Sequence, residues 1–382
     1  MIDSYISPSF PFSLIYFIQN YLVVNVISYI SYKRNFINKK IFISLIILSF
    51  VPLLFNNSFV SWTIFPDQSK YLFYSRQFRL LNFENFNFLD RVQLSSAFYS
   101  LFFLFNIQDF NSLAFINRLL INLLIIYLVY KKFNKFIVIF FLFYPSIVLY
   151  SGLGLRESLV IFFSFFFILF LFQKKIILII LLSTLIYIIK VEAFYFILVL
   201  FLTTFLYQKN NILFNRKKKI IFLFIIFFII LLILINNLSQ ILYYINKVRL
   251  GYYSEQFGNY KSISSIFFYE PLAINFVSLI TILKSLFLIF FDPIIFFPKN
   301  LSFVNIILSI DNIILLLFLY YYYKKILFYN KNLVLIYSFI IIFFLILSHL
   351  IIFNLGSYLR QKFIFCTIAI CFFEILLNNK KN

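Results

Sequence analysis

The chain has 382 residues, is 64% hydrophobic and carries a formal charge of +21. With a mean hydropathy of +1.01, this composition excludes a soluble globular domain and describes a polytopic membrane protein. The charge does not by itself imply a nucleic-acid partner, and none is expected. Many of the Lys and Arg residues fall in short clusters between apolar runs, where they act as topology signals.

In chain order, apolar stretches near the length that crosses about 30 Å of hydrocarbon lie at 10–31, 41–56, 112–130, 136–151, 157–173, 176–190, 193–207, 219–236, 303–323, 333–352 and 362–377. The expected fold is therefore all-α, a single polytopic transmembrane domain over 1–382 with about eleven membrane-spanning helices. Asp3 stands where a cleavable signal peptide has a basic region, and the first apolar run exceeds a signal peptide's core, so the first helix is expected to stay in the protein. Basic clusters at Lys33–Lys40, Lys131–Lys135, Lys174–Lys175, Lys209–Lys219, Lys324–Lys331 and Lys380–Lys381 then share one side, the cytoplasm, if the N-terminus is outside and the C-terminus inside. Most acidic residues, from Asp3 to Asp292, fall on or near the other side. The outer face gathers mixed charge, and with it the expected chemistry.

Two outer loops are long. The first, 57–111, carries a short apolar segment at 94–105 that suits a re-entrant or interfacial helix. The second, 237–301, carries the apolar stretch 272–291. That stretch is expected to be re-entrant or to lie along the interface, because a crossing there would put the later basic clusters on the wrong side.

Charged residues in apolar surroundings are the candidate functional groups. Arg156 and Glu157 follow Pro145, Gly152 and Gly154, a pattern that breaks one helix and starts the next near Glu157. Glu157 suits the first turn of that helix, and the planar fork of Arg156 suits a phosphate there. Lys190 and Glu192 sit at the tip of an apolar hairpin, either neutralising each other or lining a polar cavity. In the first loop, Asp67 is a candidate general base or a turn residue, with Tyr71, Arg76 and Arg79 nearby in sequence. Lys247 and Arg249, among Tyr243, Tyr244, Tyr252 and Tyr253, form a surface suited to sugars and phosphates or an ordinary interface belt. His349 is expected to pack at the interface, and Cys366 and Cys371 to pack in the last apolar segment. There is no Gly-rich phosphate loop, paired His or Asp-x-Asp motif, so no metal or other cofactor is expected, and ATP-driven transport and cytoplasmic nucleotide-sugar transfer are disfavoured.

The Tyr-Pro-Ser-Ile-Val-Leu-Tyr-Ser stretch at 144–151 leading to Arg156-Glu157, Asp67 with Tyr71, Asp292-Pro293, and Asn354-x-Gly356-Ser-x-x-Arg360-x-Lys362 together resemble the O-antigen polymerases of bacterial surface-polysaccharide assembly. The resemblance implies a glycosyltransferase that joins undecaprenyl-diphosphate-linked oligosaccharide repeats at the periplasmic face of the inner membrane. It also implies contact with membrane lipid, a chain-length regulator protein as a further partner, and no metal. On this reading Asp67, Glu157 and Glu192 are the candidate catalytic carboxylates. Arg76, Arg79, Arg156, Lys190, Arg249, Arg360 and Lys362 are the candidate substrate-binding cations, although Lys190 stands where the pattern suggests Arg. Membrane glycosyltransferases that use polyprenyl-phosphate sugars, and flippases of lipid-linked sugars, are the alternative readings.

Overall fold

The computed structural model of the protein describes residues 13–55, 67–82, 87, 90–213, 242–251, 271–273, 278, 280, 303–329, 331–351 and 355–379. Every regular element among them is helical: α1 Leu14–Lys33, α2 Lys39–Leu48, α3 Val51–Leu53, α4 Asp67–Arg79, α5 Arg91–Ser100, α6 Phe110–Tyr130, α7 Lys135–Phe143, α8 Pro145–Ser151, α9 Glu157–Gln173, α10 Ile176–Ile189, α11 Val191–Leu213, α12 Phe303–Tyr329, α13 Lys331–Ile351 and α14 Leu355–Asn379, with a further helical segment at 242–251. Among these residues, Leu14–Lys33, Phe110–Tyr130 and Arg360–Asn379 are long and apolar enough to cross a membrane. Glu157–Gln173, Ile176–Ile189, Val191–Thr204 and Val334–Ser348 are shorter apolar helices. The expected span at 219–236 and nearly all of 272–291 lie outside the described residues.

Local chemistry sets the helix ends. Asn38, Asp90 and Asn134 each accept a backbone N–H from the first turn of α2, α5 and α7, and Asp109 forms a reciprocal cap with Ser112 at the start of α6. At the C-termini of α1, α4, α6 and α9 the chain turns through left-handed residues, Asn35, Leu81, Lys132 and Lys174. At each, the next N–H reaches back five residues: Phe36 to Ser31, Asn82 to Gln77, Phe133 to Leu128 and Lys175 to Phe170. A chain with five glycines thus closes these turns with ordinary side chains.

Two expected spans are interrupted. The 136–151 stretch is divided at Tyr144, because Pro145 has no N–H to continue α7 and instead starts α8. The 41–56 stretch is interrupted at Ser49–Phe50, between α2 and α3. The 94–105 segment forms part of α5 and the turns after it, with Arg79 donating to the carbonyls of Ser100, Phe102 and Phe105.

The chain forms two compact units, one of Met1–Ile197, Leu317–Tyr322 and Thr367–Asn382, the other of Leu198–Leu316 and Tyr323–Cys366. In the first, α6 is the central helix, buried on all sides and packed by α1, α3, α4, α7, α8 and α9. Near the start of α7 the buried Glu374 carboxylate accepts the Asn134 backbone N–H at 3.0 Å, the Tyr322 hydroxyl at 2.9 Å and the Asn378 amide at 3.2 Å. In the second unit the Lys362 ammonium donates to Asn312, the Thr204 and Tyr337 hydroxyls share a hydrogen bond, and Asn246 pairs with both backbone groups of Leu272.

Candidate functional site

The first unit is organised around the break between α8 and α9. After Gly152 the chain makes a non-helical turn, Leu153-Gly154-Leu155, before Arg156 begins the next helix at Glu157, as the Pro and Gly spacing predicts. Exposed backbone polarity is expensive at membrane depth, and here protein side chains satisfy it. Asn117 on α6 donates both amide hydrogens, to the carbonyls of Leu153 at 2.7 Å and Leu155 at 2.6 Å. The Tyr99 hydroxyl on α5 lies 2.7 Å from the Leu155 carbonyl and 2.8 Å from Asn117 Oδ1, so its single proton is shared between them. Burial pushes the Tyr99 hydroxyl well above its ordinary pKa, and Tyr71 and Glu157 act in the same direction. Gln68 on α4 accepts the Gly154 N–H at 2.7 Å.

The glycines permit this approach. A Cβ on Gly152 would lie 2.5 Å from Val51 Cγ1 and 2.7 Å from Phe55 Cδ2, and one on Gly154 would lie 2.9 Å from Leu113 Cβ. The helices α4 and α5 therefore reach the break directly through Gln68 and Tyr99.

Beneath the turn lies Arg118, fully buried on α6. Its Nε donates to Asn122 Oδ1 at 3.0 Å and its Nη1 to Ser151 Oγ at 2.9 Å, while Nη2 is buried without a partner. Asn122 continues the chain of polar groups to Ser49. The hydrogen-bond partners of this guanidinium are neutral, an arrangement that carries a desolvation cost of several kcal/mol.

The structure places the predicted residues unequally. Half-buried Arg156 donates from Nη1 to the Ile189 carbonyl at 3.0 Å, at the C-terminal end of α10, where a cation is favoured. Glu157 is buried in the first turn of α9, and Lys190 is buried at the hairpin tip, where its extended backbone ends α10. Glu192 is about half exposed and pairs with Arg91 on α5 at 3.3 Å. Asp67 opens α4, next to Gln68, and is half-buried, as is Arg76. Arg79 is engaged by three carbonyls and serves as a cap for the end of α5.

The remaining predicted cations belong to the second unit. Arg249 is buried on the 242–251 segment, whereas Tyr243, Tyr244 and Lys247 are exposed, and Tyr252 and Tyr253 lie outside the described residues. Arg360 is half-buried and Lys362 buried on α14. The side chain of His349 lies outside the described residues, as do Asp292 and Asn354.

Sequence reasoning passed over Asn117, Arg118 and Asn122, and with them Tyr99 and Gln68. The signal was present, since two amides and a guanidinium interrupt the apolar run 112–130 and Arg118 and Asn122 lie four residues apart on one helix face.

Chemically, the break combines an anion-favouring helix N-terminus, the cations Arg118, Arg156 and Lys190 with the carboxylate of Glu157, and direct contacts from α4 and α5. No family model, curated protein or solved structure matches the chain.

Proposed function

We propose that the protein is a membrane glycosyltransferase of the O-antigen polymerase type, joining undecaprenyl-diphosphate-linked oligosaccharide repeats at the periplasmic face of the inner membrane. The observation that carries this reading is the excess of cations around a helix break contacted by outer-loop helices, an arrangement suited to a lipid-linked diphosphate. Arg156 and Lys190 hold the diphosphate. Asp67 takes the proton of the acceptor hydroxyl as its oxygen attacks the anomeric carbon of the donor glycan. The bond from that carbon to the diphosphate oxygen breaks, and undecaprenyl diphosphate leaves with the electron pair. Glu192 is held by Arg91 at the rim, and Glu157 balances charge within the site. The accompanying topology is about eleven spans with the N-terminus outside and the C-terminus inside.

The test is the surface glycan of a deletion strain complemented with variants. Loss of the gene leaves single repeat units, whereas an altered side sugar marks a monomer transferase and complete absence of the glycan marks a flippase. Arg156→Ala removes a charge-assisted contact of about 2 to 4 kcal/mol and slows transfer roughly 30-fold to 1000-fold, and Arg156→Lys restores part of it because a point charge replaces the fork. Wild-type chain length in Arg156→Ala at normal protein level overturns this assignment.

A further inference from the structure

The C-terminal ends of α1 and α6 meet at a corner that gathers positive charge. Phe36, in the turn after α1, packs against Tyr130 at the end of α6 with ring centroids 4.9 Å apart, so the α1–α2 and α6–α7 turns adjoin. Around the first turn stand Lys33, Arg34 and Lys39, and around the second Lys131, Lys132 and Lys135, all six exposed. No Asp or Glu occurs in 4–66 or in 110–156, and among the described residues none of the six is in an ion pair. The Glu374 carboxylate, which reaches the start of α7, is buried and taken up by Asn134, Tyr322 and Asn378. The Lys33 and Lys131 ammonium groups sit 5.5 Å and 5.1 Å over the rings of Tyr29 and Tyr130, which are about half exposed. Tyrosines with cations beside them are the pattern of a membrane–water interface, and α1 and α6 are both long and apolar enough to reach one.

Membrane orientation requires positive charge on one side, but it does not require two clusters to be brought together. Unpaired cations on adjoining turns repel one another, and an anion between them removes that cost. We propose that this corner binds the headgroup of an anionic phospholipid of the surrounding bilayer, with one phosphate at each turn. A lipid with two phosphates, such as cardiolipin, is therefore favoured over lipids with one. Electrostatics selects the headgroup, because each Lys or Arg near the surface adds attraction for anionic lipid and none for zwitterionic lipid. The acyl chains stay in the bilayer against the exposed Leu22, Val26 and Ile30 of α1. The site rests on no part of the glycosyl-transfer reading and stands whether or not that activity is found.

Native mass spectrometry of the full-length protein in mild detergent, titrated with cardiolipin, phosphatidylglycerol or phosphatidylcholine, tests the proposal. Wild-type protein is expected to bind cardiolipin more tightly than phosphatidylglycerol, and phosphatidylglycerol more tightly than phosphatidylcholine. Lys33→Gln combined with Lys131→Gln takes one cation from each turn and weakens cardiolipin binding about thirtyfold. Lys174→Gln combined with Lys175→Gln removes the same charge from the α9–α10 turn and leaves the affinity within about threefold. Phe36→Ala keeps every charge, and with it the insertion signal, but loosens the contact between the turns. It should bring cardiolipin down to the level of phosphatidylglycerol. Equal losses in the two double variants, an unchanged cardiolipin preference in Phe36→Ala, equal binding of phosphatidylcholine and cardiolipin, or an acidic protein held at the corner that cardiolipin does not displace overturns the proposal.

Discussion

At Arg118 two effects oppose each other, the hydrogen bonds to Asn122 and Ser151 and the desolvation of a guanidinium with neutral partners. Replacing a buried charge by an apolar side chain of similar volume is often neutral or stabilising. Arg118→Met is therefore expected to leave the thermal unfolding midpoint in detergent unchanged or raised, while shortening the surface glycan if the cation serves the site. A midpoint that falls by several degrees would show that the hydrogen bonds outweigh the desolvation. Asn117 and Tyr99 form a second comparison. Asn117→Ala strips the Leu153 carbonyl, leaves Leu155 with Tyr99 alone and should cost about 1 to 3 kcal/mol, whereas Tyr99→Phe leaves both carbonyls with their Asn117 donor and should cost about 1 kcal/mol. Equal losses in the two variants would mean that the turn is held by something other than these bonds. At this scale sequence was a partial guide. Arg156 and Glu157 announced themselves beside Pro and Gly, but the partner of Glu192 is Arg91, a residue 101 positions away, and no local pattern encodes that pairing.

At the scale of elements, the starts of α9 and the α10–α11 hairpin were legible because Pro145, Gly152, Gly154 and Lys190 interrupt apolar runs. The packing that needs the glycines was not, because Val51, Phe55 and Leu113 come to those positions from other helices. Gly154→Ala should destabilise the first unit by about 1 to 3 kcal/mol, the usual range for overpacking, and lower the amount of protein recovered from membranes. The left-handed turns offer the opposite change. Lys132 has φ of 54° at the end of α6, and Lys132→Gly relieves a strain of about 1 kcal/mol. Its unfolding midpoint should rise, and a fall would show that the lysine's contacts outweigh its backbone strain.

For the whole molecule, composition alone gave the all-α membrane class, because apolar length and basic clusters are properties of the chain before it folds. The division into two compact units was not legible, since each unit takes pieces from distant parts of the chain: Leu317–Tyr322 and Thr367–Asn382 complete the first. Topology is the property to measure at this scale. A reporter active only in the periplasm should be active when fused after Ser254 or Asn300 and inactive after Asn215 or Lys325. Activity after Lys325 with none after Asn300 would mean that 272–291 crosses the membrane.

The buried carboxylate of Glu374 adds time to this picture. It accepts the Asn134 N–H at the start of α7, 240 residues earlier in the chain, so this N–H, made early in synthesis, waits for its acceptor until α14 has been made. The first unit is therefore assembled in order but sealed late, when α14 arrives. Chains that stop before Glu374 should carry an open Asn134 turn. That turn should be cut by protease in truncated protein and resist it in the full-length chain, with Glu374→Gln intermediate because it keeps one carbonyl acceptor for the Asn134 N–H.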